Sequence, residues 1–233
     1  MQFVEPDHMI TATDALDLVA YGSSVADLVY KETISAERLV EAMLLPSGND
    51  AAYVLAAEAG KVIAGDSSIN DVAAVMTFME EMNRQAREVG MTGAHFVNPD
   101  GIHSDDHYMS YADLCLLGKL SLQNETIMKY ANVARDVVTL PSQLNAANAD
   151  SNTNLEPGQV EWKNTNKLIH EGSEYYCPYA IGLKTGQTPT AGSCLLSAFE
   201  MDGKQWIIGV FGCPEEDDRF DDTIQLFNET IGR

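Results

Sequence analysis

Basic charge is what this sequence has least of. Its 233 residues hold 14 Lys plus Arg against 35 Asp plus Glu, a formal net charge of -21 at pH 7. Phosphate backbones and anionic membrane surfaces repel such a chain, which excludes a nucleic-acid-binding protein. Long apolar runs are missing too. None approaches the roughly 18 residues that a membrane span needs. The opening residues, Met1 to Asp7, lack both a basic n-region and an apolar h-region, so they do not form a signal peptide. Cysteines are few: Cys115, Cys177, Cys194 and Cys213, without a Cys-x-x-Cys spacing or an adjacent His pair. Neither a zinc site nor a disulfide framework follows, and the four read as small core hydrophobes. No metal and no cofactor is expected.

What is present is enough apolar material for a proper core. Hydrophobic residues make up 45% of the chain and aromatics 8%, as in globular proteins. Asp14 to Tyr21 reads as a short helix broken by Gly22-Ser23-Ser24. Ser35 caps a helix through Leu39, Val40, Met43 and Leu44, which Pro46 ends. After Ser47-Gly48-Asn49, Asp50 is placed to cap a second helix that stops at Gly60. Asn70 and Asp71 open a long amphipathic helix to Gly90, with Val72, Val75, Met76, Met79 and Met82 as a core-filling stripe. His95-Phe96-Val97 is short and extended, and Asn98-Pro99-Asp100-Gly101 is a turn. Ser110 to Asp113 forms a capping box for a helix through Leu117, and Glu125 to Val133 is another helix.

From Asp136 the character changes. Asp136 to Leu140 and Val160 to Trp162 read as strands, with a polar, Asn-rich loop over Asn145 to Gly158 between them. Cys194 to Phe199 and Gln205 to Phe211 pair as a hairpin across Met201 to Lys204, and Arg219 to Ile231 closes the chain as a helix. A helical block over about 9–133 is thus followed by sheet and terminal helix over about 136–231. The pattern is α+β with an antiparallel sheet flanked by helices.

One stretch carries distinctive chemistry. An apolar run leads into Lys184-Thr185-Gly186 at a strand end. Lys184 supplies a positive charge, Thr185 a short hydrogen-bond donor, and Gly186 the room for a ligand to lie against the backbone. That is an anion receptor set in an acidic chain. The tripeptide alone is common and equally describes an ordinary strand end.

Combined with Ser47-Gly48-Asn49, it becomes specific. The two have the form of Ser-x-Asn and Lys-Thr-Gly, two of three motifs shared by penicillin-binding proteins and serine β-lactamases. Leu44 to Ala52, Met91 to Gly101, His107-Tyr108, Ser110 to Leu114, Asn164 to Leu168 and Gly182 to Gly186 follow in order. Together they make the chain, from about Met9 to Phe227, resemble the serine D-Ala-D-Ala carboxypeptidases, the low-molecular-weight penicillin-binding proteins. The resemblance implies a β-lactamase/transpeptidase-like fold, a sheet-and-helix domain with a helical subdomain and a cleft between. It also implies peptidoglycan stem peptides as substrate, β-lactams as inhibitors, and an extracytoplasmic site of action for the parent protein. Carried over by position, Ser47 relays protons and Asn49 holds a substrate carbonyl. Lys184 and Thr185 bind the terminal carboxylate, Gly186 lets the substrate align, and the backbone N–H of Gln187 is an oxyanion donor. A serine β-lactamase-like hydrolase and a non-catalytic peptidoglycan- or β-lactam-binding module share parts of this pattern.

One motif is missing. The third, Ser-x-x-Lys, supplies the nucleophile and its base. No lysine here has Ser three residues before it; Thr126-Ile127-Met128-Lys129 comes nearest, in the wrong order along the chain. The resemblance therefore implies an N-terminally incomplete catalytic domain, without its first strands and nucleophile helix, marginal in stability, with an exposed sheet edge; the alternative is a natural protein that has lost the nucleophile and kept the carboxylate-binding cleft. Such a polypeptide forms no acyl-enzyme by itself. The remaining candidates read as structural. His95, His103 and His107 lie in polar surroundings, Asp105-Asp106 and Glu215 to Asp218 are solvated, and Trp162 and Trp206 pack in the sheet. Asn164 and Asn166 organise backbone.

Overall fold

In the computed structural model, residues 3–140 and 155–232 are described. The expected loop from Asn145 to Gly158 lies, up to residue 154, outside them. The chain divides into two units, each built from two segments: Met1–Arg84 with Arg135–Lys163, and Gln85–Ala134 with Asn164–Arg233.

The first unit opens with β1 (Met9–Thr11), paired antiparallel to β2 (Thr33–Ser35) so that Ile10 faces Ile34, both buried. Ser35 accepts a hydrogen bond from Arg38 N and caps α1 (Ala36–Leu44). The helix has Leu45 as its C-cap, and Pro46 after it has no N–H to continue the helix ladder. Next comes α2 (Asn49–Ala64), which does not stop at Gly60 but runs to a left-handed Gly65. A Cβ on Gly60 would lie 1.8 Å from the carbonyl oxygen of Ala74. Gly60 is therefore there for the close passage of α3 (Asp71–Glu88), not for a helix end. Asp71 binds the start of α3 to its surroundings: its carboxylate accepts from Lys61 Nζ at 2.6 Å, Thr13 Oγ1 at 2.6 Å and Ala15 N at 2.9 Å.

The expected α3 stripe divides. Val75 and Met79 are buried with Ala74, whereas Val72 and Met76 are exposed. The buried face includes Ala74, where α2 comes near, while Val72 and Met76, two positions to either side of Ala74, turn away from it. β3 (Arg135–Thr139) and β4 (Gln159–Lys163) complete this unit as an antiparallel pair. Trp162 is buried and donates its indole N–H to Ala26 O at 3.1 Å. On β3, Asp136 shares the Arg38 guanidinium with Glu41, a fully buried residue of α1.

The second unit is organised on an antiparallel sheet in the order β5 (Ala180–Thr188), β6 (Gly192–Met201), β7 (Lys204–Cys213). β6 and β7 join through a two-residue turn at Asp202-Gly203, as expected. β5 and β7 are its edges among the described residues, and Phe211 on β7 is exposed. The closing helix, α6 (Asp218–Thr230), buries Phe220 and Phe227 against Phe199 and Leu195, with Phe227 stacked on Phe199 at 4.2 Å between centroids. α4 (Tyr111–Leu122) starts at Ser110, which accepts from Asp113 N, and α5 (Glu125–Ala131) at Asn124, which accepts from Ile127 N. Ala131 packs with Leu183 and Ala198 of the sheet. Cys177 and Cys213 are buried as expected of core residues, but Cys115 on α4 is exposed and Cys194 half-buried; all four are free thiols. Among the described residues no helix is long and apolar enough to cross a membrane.

Two outcomes test this packing. Gly60→Ala should cost about 2 kcal/mol or more, because the clash is with backbone rather than a movable side chain; a denaturant midpoint equal to that of the unsubstituted protein would contradict the close approach. Burial raises the Glu41 carboxyl from 4.5 to about 7, with Asp136 acting in the same direction and Arg38 opposing. The folded state then holds this proton more tightly than the unfolded chain, so its contribution to stability is full below the unfolded value and is lost as pH rises through about 7. Glu41→Gln should therefore lose less thermal stability than wild type between about pH 4 and pH 8, read from melting curves.

Candidate functional site

The Ser-Gly-Asn connection follows directly from the end of α1. Ser47 takes a left-handed backbone (φ 61°), uncommon for a residue with a side chain, and Gly48 is the N-cap of α2. Asn49 is the first residue of that helix and is buried. A strap of chain from Ser24 to Leu28 holds this geometry. Ser24 Oγ donates to Ser47 O at 2.6 Å, Asn49 N donates to Ser24 O at 2.9 Å, and Gly48 N donates to Ala42 O at 2.9 Å. A Cβ on Gly48 would meet the Ala26 Cβ at 2.8 Å, so the strap lies directly on the connection.

Asp50 does not cap α2 as expected. Its buried carboxylate reaches across to the strap, accepting from Ala26 N at 2.8 Å and Leu28 N at 3.0 Å, and also from Ala51 N at 2.9 Å. Burial raises its pKa against these N–H groups, which act to lower it. In the first turn of α2, Asn49 N is met by Ser24 O and Ala51 N by the Asp50 carboxylate itself, which serves the helix start and the strap together.

In the second unit, Lys184, Thr185, Gly186 and Gln187 lie along β5, registered against Leu196, Leu195, Cys194 and Ser193 of β6. Thr185 is buried, Lys184 half-buried, and Gly186 and Gln187 are exposed. Nothing lies within 4 Å of where a Gly186 Cβ would stand, so the space beside this residue is open to a ligand. Lys184 Nζ donates to Thr185 O at 3.1 Å. Behind the strand, Arg219 of α6 donates from Nη1 to Gly186 O at 3.3 Å and from Nη2 to Glu216 at 3.1 Å. Its Nε is buried without a hydrogen-bond partner among the described residues. Burial, and then the Arg219 charge, bring the Lys184 pKa down from 10.5 to about 8. Two cations thus stand at one edge strand of a chain whose net charge is strongly negative, an arrangement suited to an anionic ligand.

Sequence reasoning missed Arg219, read only as the start of the closing helix, and Ser24, read only as a helix break. A lone Arg directly after the acidic run Glu215 to Asp218 was the available signal for the first. Asn164 and Asn166 are buried and bind backbone, as expected. The three histidines stay in their own loop: His95 Nδ1 contacts Asp106 O at 2.6 Å, His103 sits beside Asp105, and His107 is edge-on to Phe96.

The fold is similar to that of a solved DD-transpeptidase. It superposes on the crystal structure of the Streptomyces K15 DD-transpeptidase with a TM-score of 0.82 and 26% identity, covering 100% of this chain and 82% of that one. Residues 2–215 match the D-alanyl-D-alanine carboxypeptidase family, and the chain belongs to it. A D-alanyl-D-alanine carboxypeptidase of Streptomyces sp. strain K15 is 30% identical over 91% of this chain and 66% of its own length. DacF of Bacillus subtilis, a D-alanyl-D-alanine carboxypeptidase, is 28% identical over 85% of this chain. The chain spans less than two thirds of the first of these curated relatives and 43% of the second.

If the Arg219 charge helps lower the Lys184 pKa, Arg219→Gln should raise it from about 8 toward the ordinary lysine value. Side-chain NMR of Lys184 followed against pH reads this directly, and an unmoved titration would separate the two cations.

Proposed function

We propose that this chain is the substrate-recognising part of a serine D-Ala-D-Ala carboxypeptidase that acts on peptidoglycan stem peptides outside the cytoplasm. The observation that carries the reading is the Lys184-Thr185-Gly186 edge strand backed by Arg219. A peptide ending in a carboxylate is matched there by an ammonium, a hydroxyl and an open space over glycine. Family membership supports the same chemistry. β-Lactams, which carry a carboxylate beside an acylating amide, are the expected inhibitors.

The roles are those the family resemblance implies, and each fits the chemistry of its residue. In the reaction a serine hydroxyl adds to the penultimate D-Ala carbonyl, terminal D-Ala leaves as the amine, and water hydrolyses the ester. Lys184 and Thr185 hold the carboxylate, and Gly186 lets the peptide lie along β5. The Gln187 N–H is an oxyanion donor, Ser47 relays a proton to the leaving amine, and Asn49 orients a substrate carbonyl. The chain has no Ser-x-x-Lys, so these 233 residues supply recognition and proton relay but not the nucleophile. The same fact favours a second reading, a module that binds peptidoglycan peptides without cleaving them.

An acetylated peptide ending in D-Ala-D-Ala should bind this chain reversibly, and Lys184→Ala should weaken it about tenfold or more, as expected for a charged hydrogen bond. Affinity should also fall as pH rises through about 8, where Lys184 loses its charge. Unchanged affinity in Lys184→Ala would overturn the carboxylate assignment. A fluorescent penicillin should leave no label that survives denaturation, and a covalent band would show a nucleophile in this chain after all.

A further inference from the structure

The Asn164-Thr165-Asn166 segment is built unusually tightly for a polar tripeptide. Asn164 is buried; its amide donates to Val133 O at 3.1 Å and Ala131 O at 3.4 Å, while its Oδ1 accepts from Asn166 N at 2.9 Å. Asn166, fully buried, accepts from Leu168 N at 3.1 Å. His170 Nε2 contacts the Asn164 carbonyl at 2.7 Å, and Cys177 N donates to Leu168 O at 2.9 Å. Both asparagines spend side-chain groups on backbone, so the turn between them is fixed. The residue it presents is Thr165, whose hydroxyl lies 2.5 Å from that of Thr185 in the Lys-Thr-Gly strand.

A threonine hydroxyl has one proton to donate and two lone pairs. If Thr185 donates to Thr165, its only proton is used and it can offer a ligand nothing but lone pairs, which repel a carboxylate. If Thr165 donates to Thr185, the Thr185 proton is left to point at the ligand. Lys184 and Arg219 make the surroundings positive, and a bound anion selects the second arrangement. A donor chain then forms, Thr165 O–H to Thr185 Oγ1 and Thr185 O–H to carboxylate, each bond polarising the next. We propose that Thr165 is a positioning residue that makes Thr185 a hydrogen-bond donor toward the terminal carboxylate of a bound peptide, and so helps this site distinguish a free C-terminus from a blocked one. The inference rests on the carboxylate-binding reading of Lys184 and Thr185.

The test uses the whole chain and two probes, an acetylated peptide ending in D-Ala-D-Ala and the same peptide as its C-terminal amide, titrated while the amide signals of Lys184 to Gln187 are followed by NMR. Wild type should favour the carboxylate. Thr165→Val, close in shape but without the hydroxyl, should reduce the carboxylate-to-amide affinity ratio about fivefold, roughly the worth of one hydrogen bond. Thr165→Ser should restore it, and Thr165→Ala should behave as Thr165→Val if the valine variant folds poorly. A purely structural contribution would weaken both probes together and leave the ratio unchanged. If wild type shows a preference and the valine and alanine variants keep it in full, Thr165 has no such role. If wild type does not distinguish the probes, the carboxylate-binding reading falls and takes this inference with it.

Discussion

Like charges held together in a poorly hydrated place govern the second unit. Lys184 and Arg219 repel, and each loses hydration on burial, which is the cause of the lowered Lys184 pKa. The arrangement persists because Arg219 is anchored elsewhere. Its guanidinium reaches Glu216 in the turn just before its own helix, and Phe220 and Phe227 fix that helix on Phe199 and Leu195. The aromatic core therefore does more than stabilise a sheet. It keeps a cation against the carbonyl of Gly186, where a more mobile side chain would turn toward water. An anionic ligand relieves the repulsion that packing maintains in its absence.

In the first unit the same problem appears with the sign reversed. Glu41, Asp50 and Asp71 are all buried carboxylates, and each is handled differently. Asp71 meets Lys61 and two protein donors, which outweigh burial and lower its pKa. Asp50 is satisfied by backbone N–H groups and raised by burial all the same. Glu41 shares a single guanidinium with Asp136, and burial raises it to about 7. The acidity of the chain is thus partly internal, and it is used to join segments that are distant in sequence.

Much of the fold was legible because its signals are local. Ser35 and Ser110 each mark a helix start through a side-chain bond to a residue three positions on, and the Met201 to Lys204 turn sets its own hairpin. Gly60 misled because a helix-ending glycine and a helix-contact glycine have the same composition around them; only the carbonyl of Ala74 tells them apart. Val72 and Met76 misled because a large apolar residue reads as core, while the buried face of α3 is fixed by the approach at Ala74 and leaves these two outside it. Of the candidate site, Lys184 to Gly186 stood out only in combination with Ser47-Gly48-Asn49, and Gln187 only through the family resemblance. Arg219 left only the faint signal of a lone Arg after an acidic run, and Thr165 and Ser24 left none, since their meaning lies in which distant backbone or hydroxyl each one touches.

The strap from Ser24 to Leu28 bears on how such a site can be inherited. Ser47-Gly48-Asn49 resembles a self-contained cassette, but its shape is written partly some twenty positions earlier, in the bonds that Ser24, Ala26 and Leu28 make to Ser47, Asn49 and Asp50. The tripeptide is consequently not portable. Grafted between two helices of an unrelated scaffold it would keep its letters and lose its conformation, and recombination between relatives would have to exchange residues 24 to 50 as one block to leave the motif working.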